Sequence, residues 1–359
     1  MTKLFEPVQL GAIALKNRVV MAPMTRTRAS VCRVPNEMMC EYYCQRASAG
    51  LIITEATSVS PQGVGYPDTP GIWSRKQILG WQEITRAVHD LGGKILLQLW
   101  HVGRVSDPEY LNGQMPVGPS AIRCEGYVSL LQPRREYAVP RALHLEEIRG
   151  VVADFTEGAR NAKEAGFDGV EIHAANGYLI DQFLRDGSNH RTDAYGGTVE
   201  NRARLLMEIV DGCIGVWGYD RVGVHLSPHH NLHSVWDSDP AALFAHVARE
   251  LGQRRVAFLL VREAGNERGH TEPIKRAFGG SVIVNGGYDL ASAAGALDRG
   301  HAQAIAFGKA FIANPDLVAR LRRGASLAEC DTTTFYGAGR KGYTDYPGLD
   351  VGPSMCRTA

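Results

Sequence analysis

The chain has 359 residues, of which 44% are hydrophobic, and its formal net charge at pH 7 is +1. This near-neutral charge, without a long basic or acidic run, argues against a nucleic-acid partner and favours a small-molecule partner. The amino-terminal segment lacks the apolar run and cleavage site of a secretory signal, and no stretch reaches the length of a membrane span. We therefore expect a cytoplasmic protein that does not bind membranes.

Short apolar or β-branched runs alternate with helical patterns along the chain. The predicted strands are 18–24, 50–56, 94–100, 169–175, 221–227, 257–263, 281–287 and 302–309. The predicted helices are 36–48, 76–91, 146–165, 199–217, 240–251, a short one within 271–279, 289–299 and 315–323. Eight strand–helix units in a chain of this length predict an α/β fold, namely a closed (β/α)8 TIM barrel. The alternative is a doubly wound open sheet, but the sequence after the first strand is not a dinucleotide-binding glycine fingerprint.

One segment, at about 103–143, interrupts the alternation after the third strand. A loop of this length inside a compact domain is usually functional. We expect it to cap the mouth of the barrel, with a small hairpin. Residues 1–359 are otherwise expected to form a single domain, and no structure is assigned to the tail at about 349–359.

Polar and aromatic side chains collect at the carboxyl ends of the predicted strands, which is where a TIM barrel has its active site. They are Thr25, Glu55, Gln98, Trp100, His101, His173, Asn176, Tyr178 and His225. Because side chains alternate along a strand, Glu171 and His173 should point into the barrel from the fourth strand, and His225 from the fifth.

Glycines follow the last two predicted strands, in NGGY (285–288) and FGK (307–309). Tight turns alone would explain them equally well, but two such sites on adjacent strands, with Lys309 beside them, favour a phosphate site. A phosphorylated cofactor would then lie over the barrel. FMN fits this arrangement, whereas pyridoxal phosphate would need a lysine at a strand end near the centre, and none is predicted there.

Two other groups of residues are candidates for metal or redox sites. The sequence has seven cysteines and no C-x-x-C motif, which indicates reduced thiols. The loop after the fifth strand contains His229, His230 and His233, for which a polar loop or substrate contacts are favoured over a metal site. We therefore expect no bound metal.

Long motifs, in order along the chain, resemble those of the old yellow enzyme family of FMN-dependent ene-reductases. They are MAPMTR, EYYCQRASAGLIITEAT, QLWHVGR, HAANGYLIDQFLRDGSNHRTDAYGGTVENR, FIANPDLVARL and GYTDYP. The resemblance covers residues from about 3 to 348. It implies non-covalently bound FMN, reduction by NADPH or NADH, and a small activated alkene as substrate, in a monomer or homodimer.

The resemblance also implies roles for individual residues. Around the isoalloxazine ring it places Pro23, Met24, Thr25, Ala56, Gln98 and His225, and at the phosphate it places Gly286, Gly287, Gly308 and Lys309. At the substrate it places Tyr66, Trp100, His173, Asn176 and Tyr343, with Tyr343 closing over the site. His173 and Asn176 would bind the substrate's carbonyl oxygen while hydride passes from flavin N5, and Tyr178 would then protonate the α-carbon.

Two positions depart from the family pattern. His225 stands where relatives usually carry an arginine against the flavin, and a histidine lacks that guanidinium's charge and fork of donors. We therefore predict a reduced flavin that is less stabilised than usual. Lys309 replaces the usual phosphate-binding arginine, which predicts weaker FMN retention.

Three other functions compete with the ene-reductase. One is a redox-neutral isomerase or desaturase on the same fold, which the unusual His225 keeps open. The second is an FMN-binding protein without turnover, which the intact His173, Asn176 and Tyr178 argue against. The third is a metal-dependent barrel hydrolase, for which the chain lacks suitable paired carboxylates.

Overall fold

Eight parallel strands close into a barrel in the computed structural model, which describes residues 2–229, 231–263 and 269–349. The strands are β1 (Val19–Met21), β2 (Leu51–Ile53), β3 (Ile95–Trp100), β4 (Val170–His173), β5 (Val222–Leu226), β6 (Phe258–Arg262), β7 (Val282–Asn285) and β8 (Ala304–Phe307). Each strand pairs with the next, and β8 returns to β1 through the pairing of Ile305 with Val19. All eight predicted strands and the TIM-barrel fold are confirmed.

The helices lie between the strands, as the alternation predicted. They are α1 (Glu37–Gln45), α2 (Arg75–Asp90), α3 (Leu145–Glu164), α4 (Leu179–Leu184), α5 (Val199–Trp217), α6 (Pro240–Gln253), α7 (Thr271–Phe278), α8 (Leu290–Asp298), α9 (Lys309–Ala313) and α10 (Leu317–Arg323). The sequence patterns missed the two shortest, α4 and α9. None of the helices in the described ranges is long and apolar enough to cross a membrane.

Helix α2 shows how local sequence fixes these elements. Ser74 caps its first turn, and the side chain of Gln77 completes a reciprocal capping box. Ile78, Trp81 and Val88 then recur at helical spacing and are buried. This apolar face packs α2 against the outside of the barrel.

Strand parity divides the core into an outer and an inner layer. Val222 and Val224 of β5 belong to the layer between strands and helices, whereas Phe258 and Leu260 of β6 belong to the layer inside the barrel. A Cβ on Gly223 would lie 2.2 Å from the Phe258 ring, so only glycine leaves room for that ring. The inner layer is therefore a filled apolar floor, and the polar residues stand above it.

A hairpin that the sequence patterns did not predict closes the amino-terminal end of the barrel. Its strands, Val8–Leu10 and Ile13–Leu15, are antiparallel, and Leu10, Ile13 and Leu15 join the inner apolar layer. The Ala12 N–H donates to the carbonyl oxygen of Asp220, just before β5, over 2.9 Å. The opposite, carboxyl end of the barrel carries the candidate site.

The segment 103–143 packs over the carboxyl ends of β2 and β3. It contains a short parallel pair, Val117–Gly118 with Arg141–Ala142, and an antiparallel bridge between Tyr127 and Glu136. Val105, Val128 and Tyr137, among others, form a separate apolar cluster with Trp100 at the end of β3. Of the predicted tail, residues 350–359 lie outside the described ranges.

The six cysteines in the described ranges are free thiols. Cys40 and Cys44 lie one turn apart on the same face of α1, with their sulfur atoms 4.0 Å apart. Cys356 lies outside the described residues.

Candidate active site

The carboxyl ends of β1, β5, β6, β7 and β8 surround a cavity of about 740 Å³. Nine of the residues predicted from sequence line it: Pro23, Met24, Thr25, Asn176, His225, Gly286, Gly287, Gly308 and Lys309. Several residues that the sequence reasoning missed also line it, including Arg262, Asn285, Phe335 and Tyr336. The cavity thus joins the glycine loops of β7 and β8 to the polar ends of β4 and β5.

The side of the cavity formed by β7 and β8 suits a phosphate. Gly286 and Gly287 have φ angles of 140° and 72°, and a Cβ on Gly287 would meet no atom within 4 Å, so this backbone borders open space. Lys309 makes no hydrogen bond or ion pair with a described residue, which leaves its ammonium group available. The nearby Asp289 carboxylate is engaged in capping α8, where it accepts from the Ser292 N–H over 2.8 Å.

A buried polar cluster stands on the apolar floor beside the cavity. The Gln98 amide donates to Glu171 Oε2 over 2.7 Å and lies 3.3 Å from His225 Nδ1. His225 pairs with His173 in the strand register, and their rings stack with centroids 5.1 Å apart. Glu171, His173 and His225 therefore face inward, as strand parity predicted.

Burial keeps Glu171 and His173 of this cluster largely neutral near pH 7. It raises the pKa of Glu171 to about 8, although the hydrogen bond from Gln98 opposes the rise. Burial, with smaller contributions from Arg262 and His233, lowers the pKa of His173 to about 3. His173 is therefore a neutral imidazole, which still has one N–H to donate. Its Nδ1 is buried without a hydrogen-bond partner among the described residues.

The turn between β4 and α4 is fixed by a buried ion pair. Asp181 Oδ1 accepts from Arg185 Nε over 2.8 Å, both side chains are buried, and Asp181 Oδ2 accepts from the Gly177 N–H over 2.9 Å. Arg185 also donates to the carbonyl oxygen of Ser227 over 2.7 Å, and the Ser227 hydroxyl accepts from the Asn176 N–H over 2.7 Å. The NGYLIDQFLR sequence thus ties the turn to the end of β5.

Tyr178 precedes α4 and points into the aromatic side of the site. Its hydroxyl lies 2.9 Å from the Tyr66 hydroxyl, and its ring meets those of Trp100 and His173 edge-on, at 5.0 and 5.1 Å. Burial raises the pKa of Tyr178 well above its usual value near 10, so the hydroxyl keeps its proton at neutral pH. Ala56, also predicted from sequence, lies in the apolar cluster that includes Tyr66 and Trp100.

Asn176 adopts the left-handed conformation, with φ of 58°, which asparagine tolerates better than most residues. Its Oδ1 accepts a hydrogen bond from Arg262 over 2.9 Å. Because a guanidinium group only donates, the amide atom facing it is the oxygen, and Asn176 Nδ2 is left to donate elsewhere. The signal for Arg262 was present in the sequence, since it continues the inward series of Phe258 and Leu260 on β6.

Tyr343, from which the resemblance expects a contact with the substrate, packs beside α1. It is fully buried, its ring stacks on that of Tyr42 at 4.1 Å, and the Arg28 guanidinium lies 4.5 Å from its centroid. From the same carboxyl-terminal segment, Phe335 and Tyr336 border the cavity. The Tyr343 hydroxyl is buried without a hydrogen-bond partner among the described residues, and the expectation that Tyr343 closes over the site stays a prediction.

Of the described histidines in the loop after β5, His233 contacts the site. His233 Nδ1 lies 2.8 Å from the Asn176 carbonyl oxygen, and its ring is 5.1 Å from that of Tyr178. His229 instead packs against His270, with ring centroids 4.1 Å apart, and His230 lies outside the described residues. Within the described ranges, no group of three or more His, Cys, Asp or Glu side chains could hold a metal ion.

Comparison with known proteins identifies the family. Residues 3–328 match the model of the NADH:flavin oxidoreductase / NADH oxidase family. The chain belongs to that family. It is 41% identical over 370 residues to 12-oxophytodienoate reductase 1 of Oryza sativa subsp. japonica, covering 99% of this chain and 95% of the relative.

Two solved structures of similar proteins share the whole fold. Morphinone reductase in complex with tetrahydroNAD is 48% identical, with a TM-score of 0.94, and the match covers 98% of this chain and 99% of that one. The old yellow enzyme homologue from Zymomonas mobilis is 46% identical, with a TM-score of 0.94, covering 96% and 99%. The predicted family, the oxidoreductase class, and FMN with a nicotinamide reductant are thereby confirmed.

Proposed function

We propose that this family member reduces the C=C bond of α,β-unsaturated carbonyl or nitro compounds at the expense of NADPH or NADH. The observation that carries the proposal is the convergence of His173, Asn176 and Tyr178 beside the cavity. Two of these residues are neutral hydrogen-bond donors, and the third is a phenol that keeps its proton. An alkene conjugated to a carbonyl needs this combination when it accepts a hydride.

The described residues fit FMN on the chemistry of their donors. At the phosphate we place the loops of Gly286, Gly287 and Gly308, whose backbone borders open cavity, with the ammonium group of Lys309. Around the isoalloxazine we place Pro23, Met24, Thr25, Ala56, Gln98 and His225. When bound, FMN supplies the hydride that it has received from the nicotinamide.

The protein's contribution begins with the substrate's carbonyl oxygen. The N–H of neutral His173 and the Nδ2 of Asn176 donate to this oxygen, and Arg262 holds the Asn176 amide in the donating orientation. Negative charge grows on the oxygen as the β-carbon receives the hydride. Donors already aimed at that charge each lower the barrier by about 3 to 4 kcal/mol.

Tyr178 completes the reaction as the general acid. Its hydroxyl delivers a proton to the α-carbon of the substrate enolate, and its high pKa ensures that the proton is present. The Tyr66 hydroxyl, 2.9 Å away, donates a hydrogen bond to the phenolate left behind. Tyr66 and Trp100 also form the aromatic wall against which we place the substrate.

Anaerobic absorption spectroscopy tests this function. The purified protein is reconstituted with FMN, reduced with NADPH and then mixed with 2-cyclohexenone, while a parallel sample receives the saturated ketone as a control. We expect the flavin bands to bleach with NADPH and to return with the enone alone. Flavin that binds but does not bleach would contradict the reductase and favour the isomerase or desaturase. Bleached flavin that the enone fails to reoxidise would contradict the assigned substrate class.

A further inference from the structure

Arg262 is a charged residue at an inward position of the barrel. It follows Phe258 and Leu260 on the inner face of β6, and it pairs with Asn285 at the carboxyl end of β7. The neighbouring strand on its other side is β5, where His225 pairs with Leu260, two residues before Arg262. Arg262 and His225 therefore line the same cavity from adjacent strands.

The guanidinium group has few partners in the protein. Among the described residues, its one hydrogen bond goes to the neutral Asn176 amide, and it forms no ion pair with any of them. The titratable groups that interact electrostatically with Arg262 include the Tyr178 and Tyr336 phenols and the imidazole of His173. Burial lowers the pKa of Arg262, yet an arginine stays charged in proteins.

A partly buried cation without a carboxylate is costly unless a ligand supplies the negative charge. The only other cation bordering the cavity, among described residues, is Lys309, which begins α9 beside the glycine of β8. We placed the FMN phosphate against Lys309, which follows β8, so Arg262, at the end of β6 and two strands away, remains for a second negative charge. A hydride brings the flavin two electrons and one proton, and without a further proton the reduced ring carries a net negative charge.

We propose that Arg262 stabilises this anionic reduced flavin, and so supplies from β6 the charge that His225 does not supply from β5. The inference rests on the FMN site proposed above. It also changes the expectation, raised by His225, that the reduced flavin is less stabilised than usual, because Arg262 supplies a permanent cation. Arg262 binds the reduced state more tightly than the oxidised state and raises the flavin's midpoint potential.

The test is the midpoint potential of the bound flavin, measured by anaerobic equilibration with a reference dye. In Arg262→Gln we expect the preference for reduced over oxidised FMN to fall at least tenfold, which is about 30 mV for a two-electron couple. Arg262→Lys keeps the charge and should stay within threefold of the wild type. Adding His225→Arg to the Arg262→Gln variant should raise its preference for reduced over oxidised FMN at least tenfold.

Asn176→Ala is the matched control, because it removes the hydrogen-bond partner of Arg262 and keeps the charge. It should leave the potential within threefold of the wild type. A shift in Asn176→Ala as large as that in Arg262→Gln would overturn the proposal, since the arginine would then act only by positioning Asn176. An unshifted Arg262→Gln would also overturn it.

A second measurement protects the test if Arg262→Gln does not fold. In the otherwise wild-type protein, His225→Arg should raise the preference for reduced FMN by less than threefold, because the charge is already present. A gain of tenfold or more would contradict the proposal. A wild type that binds FMN and bleaches with NADPH, while the Arg262 variants leave its potential unchanged, refutes this inference alone. A wild type that does not bind FMN refutes the proposed function as well.

Discussion

Replacing Tyr178 with phenylalanine should separate the two halves of the catalytic cycle. The change removes one hydroxyl and its hydrogen bond to Tyr66, 2.9 Å away, in a partly buried setting. The loss of one such bond costs about 1 kcal/mol, so folding and FMN binding should persist. General acid catalysis contributes about 10²- to 10⁴-fold, so reoxidation of the reduced flavin by an enone should slow by that factor. Reduction by NADPH needs no proton from Tyr178 and should change less than threefold.

Stopped-flow absorbance of the flavin measures the rates of reduction by NADPH and of reoxidation by the enone in one preparation. Tyr66→Phe is the control, since it removes the same hydrogen bond and leaves the Tyr178 hydroxyl in place, and its reoxidation rate should fall no more than tenfold. Because the pKa of Tyr178 lies well above 10, this residue should add no pH dependence to the wild-type rate below that pH. Equal slowing of both halves, or less than tenfold slowing of reoxidation, would refute the role of Tyr178.

The remaining predictions concern the turn, the floor and the phosphate end of the site. Asp181→Asn leaves the buried Arg185 charge uncompensated and should lower the free energy of unfolding by about 3 to 5 kcal/mol in urea denaturation; a loss under about 1 kcal/mol would contradict the buried pair. Folding raises the pKa of Glu171 from 4.5 to about 8, so the folded chain keeps a proton that the unfolded chain releases, and stability should fall as pH rises between these values. Glu171→Gln mimics the protonated form and should be more stable than the wild type at pH 8 and equal to it below pH 4.5, whereas parallel pH profiles would disprove the assignment. Lys309→Arg can make a bidentate phosphate contact and should slow FMN dissociation, whereas Lys309→Met should accelerate it. Equal dissociation rates in the three proteins would contradict the placement of the phosphate beside Lys309.

The barrel was predictable because its signals are local. Each strand is a short apolar run with a helix after it, and the alternation of side chains along β5 was enough to turn His225 inward. The elements that the sequence patterns missed lack such a repeating pattern of apolar residues. All six residues of α4 are buried, so no polar face marks it as a helix, and the hairpin strands at Val8–Leu10 and Ile13–Leu15 have three residues each.

Individual side chains at the site were harder to predict than the strands that carry them. Arg262 was overlooked because a charged residue at a strand end reads as solvent-exposed, and only the closed barrel shows that its neighbours Asn176 and His225 face the same cavity. The placement of Tyr343 depends on packing against Tyr42 of α1, which is remote in sequence, so no local pattern predicts its neighbours. Contacts between distant segments are what the linear pattern leaves open.

The hairpin that closes the amino-terminal end of the barrel restricts the route by which ligands reach the site at the carboxyl end. With Leu10, Ile13 and Leu15 sealing the apolar floor, ligands in the described structure reach the site through the mouth at the strands' carboxyl ends. Under the proposed function, the nicotinamide donor and the alkene acceptor both enter through this mouth, and they bind in turn because both react with the same flavin. An excess of either one should therefore obstruct its counterpart, so that turnover passes through a maximum as the concentration of NADPH is increased.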